Sequence, residues 1–197
     1  MTQEDSIPED ELAAYAAFFR AVEPLKDTLR SGSTSGGRRE STAEHSWRLC
    51  LMAVALAEAL PEIDLGRLLQ ILVIHDLGEA VHGDIPAPAQ AGDKTADERA
   101  DMAGLAGLLP PAAAARIMAL WDEYNALASP EARLAKGLDR LETVLQHVQG
   151  IDPAAIDYAF NLSYGREHTD RHPLIAALRR PIDAETERLA RAQRGEG

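Results

Sequence analysis

The sequence predicts an all-α fold, a single-domain bundle of about seven to eight helices. Three observations carry that expectation. Alanine and leucine dominate, while aromatic residues make up only 5% of the 197 positions, a balance that favours helices packed on helices over a β-sandwich. Apolar residues recur at helical spacing, with capping signals between the runs. No segment reads as a convincing strand. Hydrophobic residues total 46%, which excludes a disordered chain and suits a sizeable core.

The elements follow in order. Leu12, Tyr15, Phe18, Phe19 and Val22 form an apolar stripe on a first helix over roughly Glu9 to Leu29, and Pro24 kinks or ends its regular part. Ser31 to Arg39 is Gly/Ser-rich and reads as a flexible surface loop. Ser41-Thr42-Ala43-Glu44 fits a capping box, so a second helix starts there and runs to about Leu60 before Pro61. A third spans Leu65 to His75 or Asp76. Gly78, Gly83, Pro86 and Pro88 then make a loop. Helices follow at 93–107, 112–127 and 130–149. The last of these has Ser129 as N-cap and Pro130 at its first position. Asp152-Pro153 opens another, and a final helix covers Pro173 to Arg194 with an interruption near Pro181. Trp47 and Trp121 are expected in the core.

Charge and cysteine content narrow the functions. Twenty basic against 32 acidic residues give a net charge of −12. That argues against nucleic-acid binding through the phosphate backbone and against an anionic membrane partner. Cys50 is the one cysteine, so no intramolecular disulfide forms. The acidic N-terminus lacks a signal-peptide pattern, and a cytoplasmic setting is expected. No apolar run approaches the ~18 residues of a spanning helix.

The chemistry concentrates at residues 71–84, where an apolar run ends in His75-Asp76 with Glu79 and Asp84 close behind. An imidazole beside a carboxylate at the end of an apolar helix is costly to bury without compensation. Each residue alone has an ordinary reading. His75 could interact with a helix dipole, with Asp76 starting a loop. His45 could be a polar residue of a first turn. Asp139 could pair with Lys136 or Arg140. Together, two histidines and two aspartates from three helices supply mixed N and O donors. Such a set suits manganese, iron, cobalt, nickel or zinc, with positions left open for water and a phosphate oxygen.

The segments Ile74-His75-Asp76-Leu77-Gly78-Glu79 to Asp84-Ile85-Pro86, Glu40-Ser41-Thr42-Ala43-Glu44-His45-Ser46-Trp47, Trp121-Asp122-Glu123-Tyr124 and Lys136 to Glu142 resemble the 5′-deoxynucleotidase branch of the HD-domain metal-dependent phosphohydrolases. The resemblance covers roughly residues 10–180, within a single domain spanning 1–197. It implies one divalent ion, magnesium included among the candidates, held by His45, His75, Asp76 and Asp139. It implies Glu79 and Asp84 as the acid/base pair, a small phosphorylated substrate (a nucleotide first of all), and a homodimer. The leading expectation is a 5′-(deoxy)nucleotidase that cleaves nucleoside 5′-monophosphates. The alternatives are hydrolysis of another nucleotide or small phosphate ester, and a metal- or nucleotide-binding protein without turnover.

An anionic substrate on an acidic protein needs local cations. Arg38 and Arg39 precede the His45 helix, Arg30 precedes the Gly/Ser-rich stretch, and Lys136 lies one turn before Asp139. These are the expected substrate-binding residues. The chain departs from the family here, because the Arg-Gly-Trp-like stretch expected between Arg30 and Gly36 has no tryptophan.

Overall fold

The computed structural model describes residues 7–84, 95–151 and 156–196. Among them run α1 (Glu9–Ala21), β1 (Leu29–Ser33), β2 (Arg39–Ser41), α2 (Thr42–Leu56), α3 (Leu65–Ile74), α4 (Glu79–His82), α5 (Thr95–Ala106), α6 (Pro111–Ala126), α7 (Pro130–Gln149), α8 (Tyr158–Asn161), α9 (Arg166–Thr169) and α10 (Pro173–Gln193). The fold is helical, as expected. Among the described residues no helix is long and apolar enough to cross a membrane. The expected loop around Pro86 and Pro88, the start at 93 of the helix expected over 93–107, and the Asp152-Pro153 helix start lie outside the described residues.

Local chemistry sets the helix starts. The Ser41 side chain accepts from the Glu44 backbone N–H while the Glu44 carboxylate accepts from the Ser41 N–H, a complete capping box for α2. Ser129 accepts from Ala132 N–H and Pro130 pre-sets the first turn of α7. Pro24 ends the regular part of the first helix, and a 3-10 turn follows at Glu23–Lys26.

Helix α7 lies at the centre, packed against α2, α3, α6, α9 and α10. Its Leu134, Leu138 and Leu141 meet Leu49 and Ala53 of α2, Leu68, Ile71 and Leu72 of α3, and Trp121 of α6 in one apolar cluster. Burying such a side chain contributes about 1.5–3 kcal/mol. Ile156, Tyr158 and Ala190 form a smaller cluster beneath α8.

Three expectations are corrected. First, the Gly/Ser-rich stretch is a β-hairpin, with β1 antiparallel to β2 from Leu29 opposite Ser41 to Ser33 opposite Arg39. Composition hid it because these strands are held by docking rather than by their own apolar pattern. Gln146 Nε2 donates to Ser33 O at 2.5 Å and Arg30 Nη2 to Thr143 Oγ1 at 3.0 Å. A Cβ at Gly32 would stand 3.0 Å from Gln146 Cγ, so the strand can press this closely on α7 only where the side chain is absent. Second, Trp47 is 64% exposed, since α2 buries its opposite face on α3 and α7. Third, α10 runs on through Pro181. The proline lies on the exposed side, where water can satisfy the carbonyl it leaves unpaired, and the Arg179–Asp183 pair spans it at 3.1 Å.

Arg179 is the main polar anchor of this end. It is 1% exposed and donates to Tyr164 O at 2.7 Å, Asn161 O at 2.9 Å and Thr169 Oγ1 at 3.1 Å. One guanidinium thus ties α8, α9 and the turn between them to α10. Arg179→Ala leaves these acceptors unpaired and is expected to destabilise the protein by about 3–5 kcal/mol, as loss of one partner of a buried ion pair does. Chemical denaturation checks this; a loss below about 1 kcal/mol would show that water replaces the guanidinium.

Candidate metal and active site

Helix α3 ends at Ile74, with His75 as its C-cap in helical geometry. The chain then tightens through i to i+3 bonds, Leu77 N–H to Ile74 O at 3.1 Å and Glu79 N–H to Asp76 O at 3.0 Å. Such winding turns neighbouring residues by more than an α-helix does. It brings Asp76 Oδ2 to 3.0 Å from His75 Nε2. The first turn of α2 delivers His45, whose Nε2 lies 3.9 Å from the same oxygen. From α7, Asp139 places Oδ1 3.3 Å from His45 Nε2. Candidate donor atoms of His45, His75 and Asp76 lie within 4.8 Å of one another.

The outer nitrogens of both imidazoles are already committed. His75 Nδ1 bonds Leu72 O at 2.8 Å, and His45 Nδ1 bonds the Glu142 carboxylate. Both Nε2 atoms are buried and without a hydrogen-bond partner. Two orphaned ring nitrogens facing two carboxylates, each ring oriented from behind by a backbone carbonyl or a carboxylate, fit a divalent cation with mixed N and O ligands.

The charges around this point are strongly coupled. Burial opposes ionisation of Asp139, yet Arg140, His45 and Lys136 hold it well below the usual carboxylate range. Asp76 likewise stays ionised against burial, chiefly through His75. Burial and Arg30 oppose a charge on His45, but Glu142 and Asp139 together raise it to about 9. Burial drives Glu79 up to about 9, helped by Asp76 and Asp84. Burial also raises Asp84. Glu79 therefore carries a proton at neutral pH, and Thr42 Oγ1 lies 2.9 Å from its Oε2.

A cavity of about 990 Å³ opens over this group, and Glu79, Asp84, Arg30 and Lys136 all line it. Arg30 is only 12% exposed and reaches to 3.6 Å from Asp76 Oδ2. Burial opposes its charge, and Asp76, Asp139 and Asp84 outweigh that cost. Lys136 Nζ lies 3.1 Å from Tyr124 Oη and 3.8 Å from Asp139 Oδ2. Arg38 and Arg39 are not brought to the wall. Arg38 forks onto Glu44 with one bond of 2.8 Å, and Arg39 Nε donates to Arg30 O at 2.8 Å across the hairpin.

Sequence reasoning passed over other wall residues. Arg140 lines the cavity and was read only as an ion-pair partner; its path requires Gly165, at φ +65°, where a Cβ would sit 2.5 Å from Arg140 Cγ. Tyr124, which lies in the Trp121–Tyr124 segment of the resemblance but was given no role by it, donates to Asp139 Oδ2 at 2.8 Å. Glu142, fully buried behind His45, is a further carboxylate that the sequence did not single out. His147 also lines the cavity. Cys50 is half-buried in α2.

Comparison with known proteins places this geometry in a family. The HD domain model matches residues 22–179. The 5′-deoxynucleotidase HDDC2 of Danio rerio is 30% identical over 181 residues, covering 87% of this chain and 87% of that protein. HDDC2 of Homo sapiens is 29% identical over 177 residues, covering 85% and 84%. The crystal structure described as a predicted metal-dependent phosphohydrolase from Magnetospirillum magnetotacticum MS-1 matches with a TM-score of 0.76 at 35% identity, covering 91% of this chain and 97% of that one. The matched span contains every histidine and aspartate gathered around the two orphaned nitrogens, and this chain belongs to the HD-domain family.

Proposed function

We propose that this chain is a metal-dependent 5′-deoxynucleotidase, hydrolysing nucleoside 5′-monophosphates to nucleoside and phosphate. The observation that carries the reading is the pair of orphaned Nε2 atoms facing Asp76 and Asp139 beneath a cavity that Arg30, Lys136 and Arg140 line. Arg30, Lys136 and Arg140 stand among the carboxylates of the wall, and together with a divalent ion on the ligand set they would supply the positive charge that a phosphate needs. His45, His75, Asp76 and Asp139 would hold one divalent ion. When bound, it would supply Lewis acidity toward a phosphate oxygen and acidify a water.

The chain's own groups do the rest. Arg30 and Arg140 hold the phosphate in place, with Lys136 beside them. Glu79 holds a proton at neutral pH and stands ready to donate it to the departing 5′-oxygen, while Asp84 is the second acid/base group. A cytoplasmic setting and a homodimer belong to the same reading. In support of the dimer, Trp47, Leu51 and Val54 lie exposed at i, i+4 and i+7 on α2. Assay of the purified protein on nucleoside monophosphates with a series of divalent metals tests the whole reading. Turnover that needs no metal, or none on any nucleotide, would overturn it.

Three outcomes are expected from substitutions. Asp76→Ala loses bound metal and activity while keeping its helical content, and Glu142→Gln weakens metal affinity by about 10–100-fold through loss of the group behind His45. Elemental analysis and metal titration read both. Glu79→Gln retains metal and KM but loses about 10²–10⁴-fold in kcat; a raised KM at normal kcat would make Glu79 a binding residue instead. The third concerns stability of the chelator-treated protein. Glu79 titrates near 4.5 unfolded and about 9 folded, so its folded-state proton stabilises fully below pH ~4.5, and that contribution is lost as pH rises toward 9. The Tm advantage of Glu79→Gln over the parent should therefore grow from pH 5 to pH 9. A constant difference would place an ionised Glu79 in the fold.

A further inference from the structure

The two ends of the cavity differ in character. One is walled by the carboxylates of Asp84, Asp97 and Asp101. The other is closed by α8 and carries Ser31, His147, Asn161, Phe160 and Tyr164, with the Asp157 carboxylate engaged in capping α8 through Phe160 N–H. Along α7, Asp139, Thr143 and His147 are spaced at i, i+4 and i+8, stepping about 6 Å per interval away from the metal group. Each meets a different partner. Asp139 faces the histidines, Thr143 accepts from Arg30 at 3.0 Å, and His147 Nε2 lies 3.2 Å from Ser31 Oγ. On its far side His147 Nδ1 lies 2.9 Å from Asn161 Nδ2. Phe160 and Tyr164 stand beside this chain with ring centroids 5.3 Å apart.

Asn161 is 2% exposed and its backbone oxygen is held by Arg179. Its side-chain N–H₂ is the end turned to the ring and donates, so His147 Nδ1 accepts and Nε2–H donates to Ser31 Oγ. Burial favours the neutral ring that this requires. The Ser31 O–H is then left to donate into the cavity, one residue from the arginine that faces the phosphate.

We propose that the α8 end of the cavity is the nucleoside subsite, in which Ser31 Oγ–H donates to an acceptor on the sugar or base, while His147 and Asn161 position that hydroxyl. The ring faces of Phe160 and Tyr164 offer the base a stacking wall, a contact that tolerates any base. The inference rests on the nucleotidase reading above.

Steady-state kinetics of the metal-loaded protein test it with deoxyadenosine 5′-monophosphate, deoxycytidine 5′-monophosphate, 2-deoxyribose 5-phosphate and phenyl phosphate. Ser31→Ala should raise KM for both nucleotides about three- to tenfold, the range expected for one lost hydrogen bond. The kcat and the turnover of phenyl phosphate, which has no nucleoside, should not change. Ser31→Thr should restore KM by returning the hydroxyl. A KM rise shared by 2-deoxyribose 5-phosphate supports the proposal with a sugar oxygen as acceptor. A rise confined to the nucleotides supports it with a base acceptor. Unchanged KM for every substrate overturns the proposal, as does an equal rise for phenyl phosphate, which would mean a disturbed phosphate site. Parent protein that cleaves phenyl phosphate but neither nucleotide overturns the nucleotidase reading itself, and the subsite with it.

Discussion

Helix α7 carries carboxylates into the interior, and the rest of the structure is arranged around compensating them. Asp139 is 4% exposed and Glu142 fully buried. An isolated charge at such positions costs several kcal/mol. Compensation arrives from separate elements: His45 and Arg48 from α2, Arg30 from β1, Tyr124 from α6, and Lys136 and Arg140 from α7 itself. Packing α2 and α6 on α7 therefore assembles the site as it builds the core. Buried ion pairs of this kind contribute little net stability over apolar residues of the same volume. Their retention here is accounted for by what the two unpartnered imidazole nitrogens between them can bind.

The hairpin and the α8–α9 turns are the second tier, and both depend on close backbone approach. Ser33 O and Ser33 Oγ crowd the place where a Cβ of Gly150 would stand, at 2.6 and 2.8 Å. With Gly32 on the strand side, the two glycines let β1 lie flat along α7. That contact carries Arg30 and Ser31 to the cavity wall. At the other end Gly165 lets Arg140 pass toward Tyr164, while Arg179 fixes the carbonyls of Asn161 and Tyr164. The cavity walls are thus set by contacts outside the metal group.

How much of this was legible in the sequence varies with the range of the interactions. The Ser41–Glu44 box, the Ser129 cap and the turn after Ile74 are local, and their signals lie within a few residues. The four candidate ligands each had an ordinary reading alone and stood out only in combination and through the family resemblance. The hairpin was not, since its partners Thr143, Gln146 and His147 are more than a hundred residues away. Arg38 and Arg39 illustrate the same limit. Closeness to His45 in sequence suggested the phosphate, but a carboxylate six residues on and the carbonyls of the opposite strand claim them first. Trp47 was misplaced because helical periodicity gives an apolar face without saying which of two apolar faces is covered.

The environment also divides labour between carboxylates of the same intrinsic acidity. Asp76 and Asp139 are as buried as Glu79, yet they ionise while Glu79 does not. The difference is the neighbour. His75 stands 3.0 Å from Asp76 and Arg140 3.6 Å from Asp139, whereas Glu79 faces a threonine hydroxyl and the negative charge of Asp76. Groups pushed apart in this way take opposite parts in acid/base chemistry. The ionised pair suits a cation, while the acid beside it keeps its proton. In the metal-free protein burial, with the charge of Asp76 beside it, keeps Glu79 neutral, so the ionised pair and the neutral acid arise from one arrangement of buried groups.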